Sequence, residues 1–212
     1  MPSHAKIKAM NFAMRKPMTL DEFLAWESKQ ELRHEFDGDQ PVAMTGGTAA
    51  HSAIQANLAI AIGGRLRGKP CRFYGSDLKI VVAGHIRYPD GFVVCSPVTN
   101  DATVVRDPVV IFEVLSPSTS STDRITKNRE YEATPPVKRY VILEQDRAAA
   151  TVFARSSGDW IGHVLTDNAV LSMPEIGIEL PLAELYEGLP LDSTEAKDDN
   201  PPEEPATHAP ES

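Results

Sequence analysis

The sequence predicts an α+β fold, a mixed β-sheet flanked by a few helices, and three observations predict it. The run Val109–Leu115 is β-branched, aromatic or leucine at every position except Glu113, the composition of a central strand buried on both faces. Ile54, Leu58, Ile62 and Leu66 recur every four residues, so one helix carries a continuous apolar stripe that needs a sheet to cover it. Around them, short apolar runs alternate with helix-period segments and no internal repeat is visible, which favours a packed α+β domain over a solenoid or a bundle.

The chain has 212 residues, 42% hydrophobic and 24% charged, with a formal charge of −9. That length and composition suit a single globular domain and exclude full-length disorder. The charge is uneven. Asp192, Glu195, Asp198, Asp199, Glu203, Glu204 and Glu211 face only Lys197 at the C-terminal end, so that segment holds −6 of the −9 and leaves −3 for the rest. A strongly basic nucleic-acid footprint is absent, and DNA binding must rest on local patches.

Residues 1–17 show no period and are expected to form a flexible arm. The domain is expected over 18–190, beginning with Thr19, whose hydroxyl and the carboxylate of Glu22 have the spacing of a capping box. Leu20, Phe23 and Leu24 then supply the stripe of a short helix reaching about Gln30. Asp37-Gly38 suits a tight turn between strands Arg33–Phe36 and Pro41–Met44. Thr48 caps the long helix, which ends near Gly68. Strands follow at Arg72–Tyr74, Leu78–Val82, Gly91–Val94 and Val109–Leu115. A third helix runs from Ser121 or Thr122 to about Ala133, stopped by Pro135-Pro136. Strands at Lys138–Leu143 and Ala149–Ala154, with weaker runs at Trp160–Leu165 and Ile178–Leu180, complete the sheet. Residues 191–212, acidic and proline-rich, are expected to be a disordered solvated tail.

Cys71 and Cys95 have neither the spacing of a zinc site nor the density of a disulfide scaffold, and they read as two reduced thiols. No apolar run approaches a membrane span and no signal-peptide core is visible, so the expected setting is cytoplasmic, with no membrane partner. Gly46-Gly47-Thr48 lacks the lysine of a phosphate loop, and no nucleophile elbow or paired-histidine zinc spacing occurs.

The chemistry concentrates on acids in apolar strands. Asp90 enters a strand at Tyr88-Pro89-Asp90 and Glu113 lies inside one, and a carboxylate buried without a partner costs several kcal/mol. Either the two hold a hard cation such as Mg²⁺ or Mn²⁺ through oxygen, or each pairs with Arg87, Arg106 or Lys138. In the helix after Glu113, Asp123, Lys127 and Tyr131 share one face at i, i+4 and i+8. That face could return a lysine to the acidic strand, or Asp123 and Lys127 could form a plain surface pair.

Tyr88-Pro89-Asp90, then Phe112-Glu113-Val114-Leu115-Ser116-Pro117-Ser118-Thr119, then Asp123, Lys127 and Tyr131 resemble the Uma family of proposed restriction endonucleases in the PD-(D/E)XK nuclease superfamily. Arg33-His34-Glu35-Phe36-Asp37-Gly38 and the helix opening at His51 extend the resemblance, which covers Thr19 to Leu185. It implies a restriction-endonuclease-like fold, DNA as partner, Mg²⁺ or Mn²⁺ as cofactor, and Asp90 and Glu113 as metal ligands. It also implies catalytic roles for Glu35 and Lys127. The superfamily lysine normally stands two residues after the glutamate, where this chain has Leu115, so Lys127 would replace it from the helix. His51, Asp77, Lys79, Asp123 and Tyr131 are candidates for supporting positions around the acids, and Arg65, Arg67, Lys69 and Arg72 are bases able to grip a nucleic-acid backbone. A homodimer would suit an enzyme that cuts two strands. The reading from another class is a catalytically inactive nuclease-fold module that binds nucleic acid or a protein partner.

Overall fold

The structure is a computed structural model that describes residues 17–44, 46–116 and 122–190. The expectations for the N-terminal arm, up to residue 16, and for the acidic tail lie outside the described residues. Helix α1 (Leu20–Glu27) carries the complete capping box between Thr19 and Glu22 and buries Phe23. Strands β1 (His34–Phe36) and β2 (Pro41–Ala43) form the expected hairpin. Its turn is held by Asp37 Oδ1, which accepts from the amides of Asp39 and Gln40, and by Gly38 at a φ of 96° that disfavours any side chain.

Helix α2 (Ala49–Arg65) follows, capped by Thr48. Then come β3 (Arg72–Gly75), β4 (Lys79–Val82), β5 (His85–Arg87), β6 (Gly91–Val94), β7 (Val104–Val105) and β8 (Val110–Val114). A π-helical segment, Thr122–Lys127, runs directly into α3 (Asn128–Glu132), where the sequence predicted one α-helix. The remaining strands are β9 (Arg139–Leu143), β10 (Ala149–Ser156), β11 (Asp159–Thr166), β12 (Val170–Met173) and β13 (Ile178–Pro181).

The α+β class holds, with the strands divided among three sheets. Six strands lie in the order β11-β10-β9-β8-β6-β3, five in the order β2-β1-β5-β4-β7, and β12 pairs with β13. Strand β8 is central in the larger sheet, antiparallel to β6 and parallel to β9, and buried along its whole length. One of its faces (Val110, Phe112, Val114) packs on Ile54, Leu58 and Ile62 of α2. The other face (Ile111, Leu115) packs on Tyr131 of α3 and Tyr140 of β9. Glu113 belongs by alternation to that second face. The parallel pairing of β8 with β9 requires a crossover, and the π-α3 segment is that crossover, so its residues return over the face that carries Glu113.

One expectation is corrected here: Cys71 and Cys95 are joined in a disulfide rather than being two reduced thiols. The register of β3 against β6 pairs Arg72 with Val94, and one step further sets Cys71 opposite Cys95. Two isolated cysteines carry no pairing signal until that register is known. A bridge across a sequence separation of 24 stabilises by about 2–4 kcal/mol, chiefly by constraining the unfolded chain. Reduction should therefore lower the melting temperature by roughly 4–16 °C for a domain of this size. Unfolded protein prepared without reductant should react with no equivalent of a thiol reagent. Two reactive thiols per chain would refute the bridge.

Candidate active site

A cavity of about 290 Å³ is lined by Glu35, His51, Tyr88, Asp90, Glu113 and Lys127, together with the β2 edge and the Gly46-Gly47 turn. Five separate elements deliver these side chains: β1, α2, the turn into β6, β8 and the crossover. Asp90 immediately precedes β6, where the pair Gly91 and Phe112 ends the ladder, so one further step places it opposite Glu113.

Asp90 is held from two sides. Its Oδ2 accepts from the backbone amide of Val114 at 2.6 Å, and its Oδ1 accepts from Gln55 Nε2 at 2.5 Å. His51 Nε2 lies 3.2 Å from Oδ2. His51 and Gln55 are four residues apart on α2 and therefore share a face. A Cβ on Gly47 would stand 2.9 Å from His51 Nδ1, so the bare backbone there lets the ring lie where it meets Asp90.

Glu113 is engaged by the crossover. Lys127 Nζ donates to its Oε1 at 2.9 Å and the Tyr131 hydroxyl donates to the same oxygen at 3.0 Å. Burial, reinforced by the negative charge of Glu113, pushes the Tyr131 phenol well above its ordinary range. It stays protonated and serves as a donor. Leu115 is buried in the apolar cluster of Tyr131 and Tyr140. Leu115, two residues after Glu113, thus serves core packing, and the ammonium beside Glu113 comes from the crossover.

Glu35 completes the group. Its Oε1 accepts from the Tyr88 amide at 3.2 Å and lies 3.4 Å from Lys127 Nζ, while its Oε2 accepts from Arg87 Nη1 at 3.3 Å. Arg87 in turn makes a two-pronged pair with Glu130, Nε to Oε2 at 2.7 Å and Nη2 to Oε1 at 2.6 Å. Burial works against the charge on Arg87, yet the hydrogen bonds to Glu130 and the charges of Glu35 and Glu130 hold its pKa above the ordinary value. Glu130, Arg87, Glu35, Lys127 and Glu113 form a chain of alternating sign through the interior.

Neither Arg87 nor Lys138 forms an ion pair with Asp90 or Glu113: Arg87 serves Glu130 and Glu35, and Lys138 caps the Pro135 carbonyl. Asp77 and Lys79 are not brought to the cavity, although β1 of the sheet that holds β4 delivers Glu35 there. Asp77 pairs with Arg33 at 2.5 Å on the surface, and Lys79 makes a buried pair with Glu27 at 2.5 Å. Burial opposes ionisation of Glu27, but the hydrogen bonds from Lys79 and Tyr88 and the charge of Lys79 outweigh it and hold the carboxyl below its usual range. The side chain of Asp123 lies outside the described residues. Gln55 and Glu130 were missed by the sequence reading, and Arg87, weighed there as an ion-pair partner of Asp90 or Glu113, serves Glu130 and Glu35 instead. Gln55 was findable as His51 plus four on one helix.

The donor chemistry at the cavity is carboxylate oxygen, which suits Mg²⁺ or Mn²⁺ and not a soft cation. Among the described residues no group of three or more His, Cys, Asp or Glu is placed to hold a metal ion. Mg²⁺ fits such a site nonetheless, since it commonly uses one or two carboxylates and completes its octahedron with water and substrate phosphate. No helix of the described residues is long and apolar enough to cross a membrane.

Comparison with known proteins gives a family model, two curated relatives and a solved structure. The family model Uma2, described as "Putative restriction endonuclease", matches residues 20–183. A Synechocystis protein called "Uncharacterized protein slr1290" is 32% identical over 173 residues, covering 80% of this chain and 91% of its own length. A second Synechocystis protein, sll1609, is 26% identical over 141 residues, covering 64% and 80% respectively. Among solved structures, the crystal structure of "a putative nuclease belonging to DUF820" from Anabaena variabilis superposes with a TM-score of 0.67 at 22% identity, covering 80% of this chain and 98% of that one. At that identity the likeness shows a shared fold.

Proposed function

The chain belongs to the Uma2 family, and from that membership and the carboxylate cavity we propose a divalent-metal-dependent DNA endonuclease that hydrolyses phosphodiester bonds. The observation that carries the reading is the contact of Lys127 Nζ with Glu113 Oε1 at 2.9 Å, in the cavity that Asp90 also lines. A strand acid, a second acid at the neighbouring strand end and an ammonium in contact with the first are the groups this hydrolysis needs.

Asp90 and Glu113 would hold Mg²⁺ or Mn²⁺. The cation, when bound, supplies charge neutralisation at the phosphate and a lowered pKa for water. Lys127 orients the attacking water and meets the charge that develops on the phosphate oxygens. Tyr131, kept protonated, fixes the Glu113 carboxylate through Oε1. Glu35 sits across Lys127 from Glu113 and gives the ammonium a second anchor as it turns toward substrate. His51 beside Asp90 is placed to take up or release a proton at the cavity wall. The reading includes a second copy of the chain for the second strand.

Supercoiled plasmid with Mn²⁺ is expected to be nicked, and excess chelator to stop it. The second reading, an inactive module that binds nucleic acid or protein, draws support from the buried Leu115 at the usual lysine position. Intact plasmid across a range of Mn²⁺ and Mg²⁺ concentrations would overturn the enzyme reading in its favour.

A further inference from the structure

The chain from Gly63 to Tyr74 contains Arg65, Arg67, Lys69 and Arg72 and no acid, in a molecule of net charge −9. These bases sit where the C-terminal end of α2 leads into β3, an edge strand of the larger sheet. Arg65 is tied to Glu184 at 2.7 Å and Lys69 Nζ donates to the Gly177 carbonyl at 3.2 Å. Arg67 and Arg72 are exposed and make no ion pair within the described residues. Most other described arginines are committed: Arg33 to Asp77, Arg87 to Glu130, Arg124 to Glu144 and Arg139 to Glu175. Arg67, Lys69 and Arg72 line an open groove with Tyr74 and Asn100. Its floor includes Cys71, whose bridge to Cys95 fastens the segment to β6.

We infer that this groove is a second nucleic-acid contact, a clamp for the phosphate backbone remote from the carboxylates. The inference rests on the endonuclease reading for its choice of polyanion. Guanidinium groups match phosphate geometry and are weakly hydrated, so uncommitted arginines in a groove fit a polyphosphate better than a lone anion. Helix α2 is the ruler between the two places, since His51 near its start touches Asp90 while Leu66 caps its end. At 1.5 Å per residue that separation is roughly 22 Å. Duplex DNA rises about 3.4 Å per base pair on each strand, so the clamp would hold phosphates about six base pairs from the bond being cut.

The test measures binding of a fluorescent 20-base-pair duplex to the full chain in chelator, across a salt series, for the parent and for the double variant Arg67→Gln/Arg72→Gln. Each phosphate contact contributes about −0.9 to the slope of log affinity against log salt, so losing two should flatten the slope by about 1.8. Affinity should fall on the order of 50-fold at 0.1 M salt. Thermal melting of the variant and its Mn²⁺ titration should match the parent, which separates a lost clamp from a damaged fold. Parent-like affinity and slope in the variant would overturn the clamp. So would polyglutamate of equal charge binding more tightly than the duplex, since the groove would then be a site for acidic peptide. The nuclease reading fails independently: duplex binding that depends on Arg67 and Arg72 without any plasmid nicking would keep the clamp and remove the enzyme.

Discussion

Replacing Asp90 is expected to abolish divalent-ion binding and cleavage together. Its two oxygens are fixed by Val114 N and Gln55 Nε2 at 2.6 and 2.5 Å, so the carboxylate is held in place before any cation arrives. Asp90→Ala would also leave those donors without an acceptor, at a cost of about 1–3 kcal/mol each if they stay dry. Asp90→Asn is the sharper variant because it keeps the shape and one carbonyl acceptor while removing the charge. On the proposed ligand set a hard cation would lose one of its two carboxylates, and several kcal/mol of transition-state stabilisation corresponds to about 10³-fold or more in rate. Mn²⁺ titration by calorimetry and plasmid nicking should both fall below detection. An asparagine variant that binds Mn²⁺ and nicks like the parent would remove Asp90 from the ligand set.

Lys127→Ala should separate the catalyst from the ligands. Losing one electrostatic donor costs on the order of 10²–10³ in rate. Metal affinity should hold or tighten, because removing the ammonium leaves Glu113 and Glu35 with uncompensated negative charge around the same cavity. The protein itself should be weakened, since breaking a buried ion pair on one side typically costs about 3–5 kcal/mol. Assays therefore belong well below the variant's melting temperature. If Lys127→Ala cleaves as fast as the parent while Asp90→Asn is inactive, Lys127 is a structural counter-ion only.

Where a periodic signal is long, the sequence announces the structure. Helix α2 repeats its apolar residue every four positions over three turns, and β8 is apolar throughout except for its one acid, so both were readable with their burial. Strands β5, β7 and β12 have three, two and four residues, too few for alternation to rise above chance, and they were missed. Without β5 nothing aimed Arg87 at Glu35 and Glu130 rather than at Asp90 or Glu113, so the chain of charges that reaches Glu35 stayed hidden. The meeting of Glu113 with Lys127 was legible because the crossover that carries Lys127 follows directly on the strand of Glu113. The placement of Asp77 and Lys79 was not, because sequence order cannot say that their partners are Arg33 and Glu27 rather than the acids of the cavity. The disulfide depended on the register of β3 against β6, which no local pattern reports.

The site's scattered origin has a consequence for how the protein comes to life on the ribosome. Glu35, His51, Asp90, Glu113 and Tyr131 come from distant stretches of chain, and the parallel partner that locks β8 in place, β9, lies later still. Non-local pairings of this kind close last, after their loop entropy has been met. No amino-terminal fragment ending before Leu143 holds both the full set of groups and the strand that orders them. On the proposed nuclease reading, a nascent or truncated chain would leave nearby DNA uncut, and cleavage would begin only with the finished sheet.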